Sequence, residues 1–173
     1  MTSAHGSSRR AYPFNILILV TLLSILLAVG YVTRYLAERQ TGVLDWYPAQ
    51  PCALPTEACR TLLTNNRQLV FAMHTEEPTP LEPLPVTLQL EGYPEEELEV
   101  LTLELDLQGR DMYMGYNRTR FEHQGAGLFT ATPILGICTD EVMVWRASVL
   151  IHPPEGRSYG SQYDFTVIQA NFR

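Results

Sequence analysis

Residues Ala11 to Val32 form 22 consecutive positions without a charged side chain, and Ile16 to Val29 is almost entirely Ile, Leu, Val and Ala. As a helix rising about 1.5 Å per residue, this run reaches about 33 Å, close to the hydrocarbon thickness of a bilayer. Tyr12 and Tyr31 sit at its ends, where aromatic rings favour the headgroup region. Arg9 and Arg10 precede the run and predict an N-terminus in the cytoplasm, although Arg34 and Arg39 follow it at similar distance. The competing reading is a cleaved signal peptide, processed near Ala28-Val29-Gly30. The apolar run is longer than a usual signal core, which favours an uncleaved anchor. The expectation is a single-pass inner-membrane protein: a cytoplasmic N-terminus over 1–10, a transmembrane helix over 11–32, and the remainder in the periplasm.

Beyond Gln40 the chain carries 18 Asp and Glu against 8 Arg, a balance of −10. A domain this acidic repels phosphate backbones, which argues against nucleic-acid binding. It tolerates or attracts cations and basic partners. All 12 basic residues are Arg and none is Lys, a pattern that codon bias in a GC-rich bacterial genome produces readily.

Residues 33–66 read as a juxtamembrane linker. Tyr31 to Gln40 can carry the helix out of the bilayer for two or three turns, until Thr41-Gly42 breaks it. Trp46-Tyr47-Pro48, Pro51 and Pro55 then predict irregular chain, with a short helical turn within Glu57 to Thr64. From residue 67 to 173 the pattern alternates with a period of two. Leu69, Phe71 and Met73 share one side, as do Val86, Leu88 and Leu90, and then Leu101, Leu103, Leu105 and Leu107. Further strands are expected at Met112–His123, Leu128–Pro133, Val142–His152 and Tyr163–Phe172. About seven short strands without a convincing helix predict a mainly β chain, an immunoglobulin-like antiparallel β-sandwich behind a single N-terminal transmembrane helix. Trp145 is the expected core anchor, and the acidic run Glu95-Glu96-Glu97-Glu99 reads as a solvated approach to a strand.

Three cysteines in an exported domain leave one without an intramolecular partner. Cys52 and Cys59, spaced C-x6-C, can bridge across a small loop in an oxidising compartment, leaving Cys138 as the free thiol. The other pairing, Cys138 with Cys52 or Cys59, would tie the linker to the sandwich. A reversible Cys52–Cys59 dithiol lacks compact C-x-x-C geometry. No nucleophile elbow, phosphate loop or H-E-x-x-H is present, and His5, His74, His123 and His152 are scattered, so no enzyme is expected.

The chemistry-bearing pattern is one of soft sulfur. Asp111-Met112-Tyr113-Met114-Gly115, Cys138 and Met143 place four sulfur donors in one half of the β-domain, and thioether and thiolate suit Cu(I) better than hard cations. In extended chain Met112 and Met114 would leave the same face. Cys138 is the expected third donor, and Met143 or His123 would complete the set, with His74 more distant. The bland alternative for each Met is core packing, strongest for Met143, which shares a face with Trp145.

The stretch after residue 85 carries PLPVTLQLEG, the Met-rich turn DMYMGYN, the glycine strand GAGLFTATPIL and the strand VMVWRASVLI, about 70 residues in all. In these motifs and their order it resembles the YtkA-like and FixH-like group of small exported β-sandwiches. Phe129 stands where that group usually has Tyr or Trp, and Cys138 stands where many members have only Met. The resemblance implies a membrane-tethered protein of copper trafficking or respiratory-oxidase assembly, with a membrane protein complex as client. The alternative is a metal-free scaffold or accessory module for such a complex.

Overall fold

The computed structural model describes residues 12–40, 44–137 and 140–168, and the chain divides into two compact units, 1–41 and 42–173. The first is a single helix, α1 (Tyr12–Gln40), of 29 residues. Within it, Ile16–Thr33 is apolar and long enough to cross a membrane. Its hydroxyls turn inward on the helix: Thr21, Ser24 and Thr33 each donate to a carbonyl three residues back, at 2.8, 2.8 and 3.0 Å. That arrangement commits the proton of every Thr and Ser hydroxyl within Ile16–Thr33 to the helix backbone, as an apolar solvent requires.

The second unit is an immunoglobulin-like sandwich. Its strands are β1 (Asp45–Tyr47), β2 (Cys59–Leu62), β3 (Gln68–Met73), β4 (Val86–Glu91), β5 (Thr102–Gly109), β6 (Arg118–Arg120), β7 (Glu122–Gly125), β8 (Leu128–Ala131), β9 (Val142–His152) and β10 (Tyr159–Ile168). One sheet has the order β1-β10-β9-β5-β6 and the other β2-β3-β4-β8-β7. Taking β3 as the first strand of the motif gives the ABED and GFC pattern of that fold, with β1 added parallel to the last strand.

The alternating leucines build the core. Leu103, Leu105 and Leu107 of β5 are buried, as are Leu69 and Phe71 of β3 and Leu88 of β4, and Trp145 of β9 is wholly enclosed among them. Phe71 stacks on Tyr163 across the two sheets, ring centroids 5.3 Å apart. Each residue of this set faces inward because a strand alternates its sides, so one period-two pattern orders both layers.

Three stretches differ from expectation. Residues 45–62, read as irregular linker, supply β1 and β2, one edge strand to each sheet, and Gln50 N donates to Arg60 O at 2.8 Å between them. The helical turn expected within Glu57–Thr64 is strand β2, whose Cys59 and Thr61 point into the core. The acidic run is a short helix, α2 (Glu95–Val100), following Pro94. Glu95, Glu96 and Glu97 occupy its first turn, where carboxylates meet the positive end of the helix dipole, and Leu98 anchors it to the core.

Candidate metal centre

β5 ends at Gly109, opposite Trp145 of β9. The chain beyond it, 111–117, is a loop rather than the strand expected over Met112–His123, and pairing resumes only at β6. Gln108 fastens this loop from the strand below. Its Oε1 accepts from Met114 N at 3.1 Å, and its Nε2 donates to the Gly115 carbonyl at 2.6 Å. Gly115 takes φ +84°, a left-handed turn that favours glycine. On the neighbouring side, Asn117 Nδ2 donates to the Ile134 carbonyl at 3.1 Å, tying the Met loop to the segment after β8.

Met112 is about half exposed (49 %) and lines a cavity of about 190 Å³ together with Asp111, Asp140, Val142, Met143 and Val144. Met143 is buried at 7 % exposure, at the start of β9. Its methyl fills the space that a side chain at Gly109 would take: a Cβ there would lie 2.2 Å from Met143 Cε and 2.6 Å from the Met112 carbonyl oxygen. The missing side chain of Gly109 leaves room for Met143 of β9 and the Met112 backbone to close on the end of β5. Met114 is half-buried and packs against the core; its methyl and Trp145 Cη2 both lie 3.9 Å from where a Cβ on Gly136 would sit.

The extended geometry expected for Met112 and Met114 is therefore not adopted. The Gln108 clasp and the left-handed Gly115 bend the chain, and Met112 borders the cavity while Met114 packs on the core. Cys138, the expected thiolate, lies outside the described residues, two positions before Asp140 of the cavity wall.

His123 is not brought to this group. It belongs to β7 in the other sheet, stacked on Phe129 at 4.5 Å with Nε2 3.8 Å from Glu95. The chain enters β7 beside the start of β5, where Phe121 N donates to the Leu103 carbonyl, whereas the methionines gather beyond its end. Six residues of strand between those levels measure about 20 Å. His74 is occupied by Thr87, with Nε2 2.9 Å from Oγ1.

Cys52 and Cys59 form a disulfide, Cα atoms 5.4 Å apart, so neither is available to Cys138. Among the described residues no three of His, Cys, Asp and Glu come together as a metal-holding group. The cavity's acids stand apart in role: the Arg110 guanidinium, hydrogen-bonded to Asp111, holds that carboxyl below its ordinary range, so it stays anionic at the cavity mouth. The residues that the alternation pattern did not single out are Gln108, Gly109 and Asn117, whose work is to shape a loop rather than to follow a period.

No family model, curated protein or solved structure matches the chain.

Proposed function

We propose that this chain is a single-pass, N-in membrane protein whose periplasmic sandwich binds Cu(I) and hands it to a membrane oxidase under assembly. The observation that carries the reading is the cavity shared by Met112 and Met143, one thioether from the loop after β5 and one from β9, bordered by Asp111 and Asp140. Neutral thioethers bind soft Cu(I) and discriminate against the hard cations that carboxylate clusters attract. Asp140 adds a negative potential that draws a cation toward the cavity, the charge of Asp111 being offset by Arg110. Met112 and Met143 would hold the ion and Cys138 would supply the thiolate, while Met114 packs on the core. His123 has no part in it, because it sits with Glu95 toward the other end of the sandwich. A bound Cu(I) would make the protein a carrier rather than a catalyst.

The test is a Cu(I) competition titration of the full-length protein in detergent, with ascorbate as reductant so that the disulfide stays intact. One Cu(I) per chain is expected. Met112→Ala/Met143→Ala should weaken binding by at least about tenfold, the lower end for loss of even an outer-shell partner. Unchanged affinity in that variant would remove the site. A protein that takes up no Cu(I) at all would leave the metal-free interaction module as the better reading, with the groove along Trp46–Cys52 and Arg146, about 520 Å³, as its binding surface.

A further inference from the structure

The end of the sandwich that holds the methionines is also its apolar end. Met112, Tyr113, Tyr116, Ile134, Ile137 and Val142 are all exposed, Tyr113 and Tyr116 by four-fifths of their area. Met112, Tyr113, Tyr116, Ile134 and Val142 form one surface: Met112 and Val142 border the same cavity, and Asn117 ties the loop carrying Tyr113 and Tyr116 to Ile134. Tyrosine and methionine are residue types enriched where proteins meet one another.

The charges around this surface have one uncompensated sign. Arg110 is paired with Asp111, and Arg118 with Glu104 and Asp106. Asp140 and Glu141 are exposed and, among the described residues, enter no ion pair. Two copies of such a rim would repel, which disfavours a second copy of this chain. The same repulsion disfavours an anionic lipid surface. Asp45, the first residue of β1, pairs at the level of Tyr159 and Ile151, six residues along β9 from Trp145 and about 20 Å away. The apolar surface thus lies at the end of the sheet remote from where the chain enters the domain.

We infer that this surface docks the domain that receives Cu(I), and that the receiver presents an apolar face rimmed by Lys and Arg. The inference rests on the Cu(I) reading above and adds the partner to it. Tyr113 and Tyr116 supply contact area beside the ion, and Asp140 and Glu141 steer and orient the encounter, as complementary charge does at transient interfaces.

The experiment measures Cu(I) transfer from the loaded full-length protein in detergent to two synthetic peptides. Both carry the same methionine and cysteine donors; one is flanked by lysines and the other by glutamates. At low ionic strength the lysine-flanked peptide should be loaded about tenfold faster or more, a preference that salt removes. Asp140→Asn/Glu141→Gln should collapse that preference. Glu96→Gln/Glu99→Gln, an equal change of charge on α2, should leave it intact. Tyr113→Ala/Tyr116→Ala should slow transfer to both peptides at every salt concentration. Because the copper content is measured before mixing, the two readings fail separately. A protein that does not load overturns both. A loaded protein with no preference between peptides, with a preference equally sensitive to the α2 variant, or with a dimer that excludes the peptides overturns the docking inference alone.

Discussion

Three buried hydroxyls cross the sandwich, and their hydrogen-bond directions can be assigned from one end. Ser161 Oγ donates to the Tyr47 carbonyl at 2.9 Å. Its single proton is thereby committed, so Ser161 accepts from Thr61 Oγ1 at 2.8 Å. Thr61 has then spent its own proton, and Tyr163 Oη must donate to it at 2.7 Å. Thr61 and Ser161 are fully enclosed and Tyr163 nearly so. The relay joins β2 of one sheet to β10 of the other, and its direction makes the two ends unequal. Tyr163→Phe removes a donor and leaves no orphaned proton, at a cost of about 0.5–1.5 kcal/mol for one net hydrogen bond. Thr61→Val keeps the shape but strands the Tyr163 hydroxyl without an acceptor, costing about 1–3 kcal/mol for that group together with the lost bond to Ser161. The decisive quantity is the effect of Tyr163→Phe in the Thr61→Val background. There the phenol is already stranded, so its removal should recover stability, and the sign of the same substitution reverses. Urea unfolding of the full-length protein in detergent, followed by tryptophan fluorescence, reads all four forms, since Trp145 is wholly buried. Additive losses in the double variant, or a Tyr163→Phe loss exceeding that of Thr61→Val, would refute the assigned direction.

Burial pushes the Tyr163 phenol above its usual value near 10, so the unfolded chain loses that proton first as the solution becomes alkaline. Its contribution is complete below about pH 10 and declines above it, by about 1.4 kcal/mol per pH unit, and Tyr163→Phe should remove that share of the slope in a series of melting temperatures. Tyr93 and Tyr159, raised chiefly by burial and sharing a hydroxyl contact at 2.9 Å, should add to the same alkaline loss. Gly109→Ala places a methyl against both Met143 Cε and the Met112 carbonyl. Overpacking of this kind costs about 1–3 kcal/mol, and Met143→Ala should relieve only part of it because the Met112 contact is backbone. Denaturation midpoints of the single and double variants check this, and complete relief by Met143→Ala would mean that the carbonyl yields freely.

The parts of the fold legible in the sequence were those in which one residue pattern dominates a whole strand. The leucines of β5 and the apolar alternation of β9 each run for eight residues or more, and β9 covers the expected Val142–His152. What escaped were elements whose signals are short or point elsewhere. β1 and β2 are three and four residues long, near Pro48, Pro51 and Pro55; β1 becomes a strand by pairing with β10, far along the chain, and β2 by a short hairpin with β3. β10 begins at Tyr159, before the expected Tyr163, because Gly160 reads as a turn signal. In the fold that glycine serves close approach: a Cβ there would lie 2.1 Å from the Val149 carbonyl. A glycine marks a turn and a tight contact alike, and local sequence does not distinguish them.

The same limit applies to the methionines, with more at stake. Sulfur chemistry could be read from residue types alone, and so the candidates Met112, Met114 and Met143 were visible. Their arrangement could not be, because it depends on what Gly109 lacks and on where the Gln108 amide reaches. The expectation that Met112 and Met114 would act as a pair assumed extended chain, and two hydrogen bonds from one glutamine were enough to overturn it. The proposed pairing, Met112 with Met143, sets the loop after β5 against the start of β9, where Arg110 N also donates to the Val144 carbonyl. The Met112 loop is shaped from the strand beneath it, by the Gln108 amide and the bare Gly109. The soft-ion site proposed above would be altered first by changes at these supports. Gly109→Ala is accordingly the substitution in which loss of fold stability and loss of Cu(I) affinity should appear together, with every sulfur atom still in place.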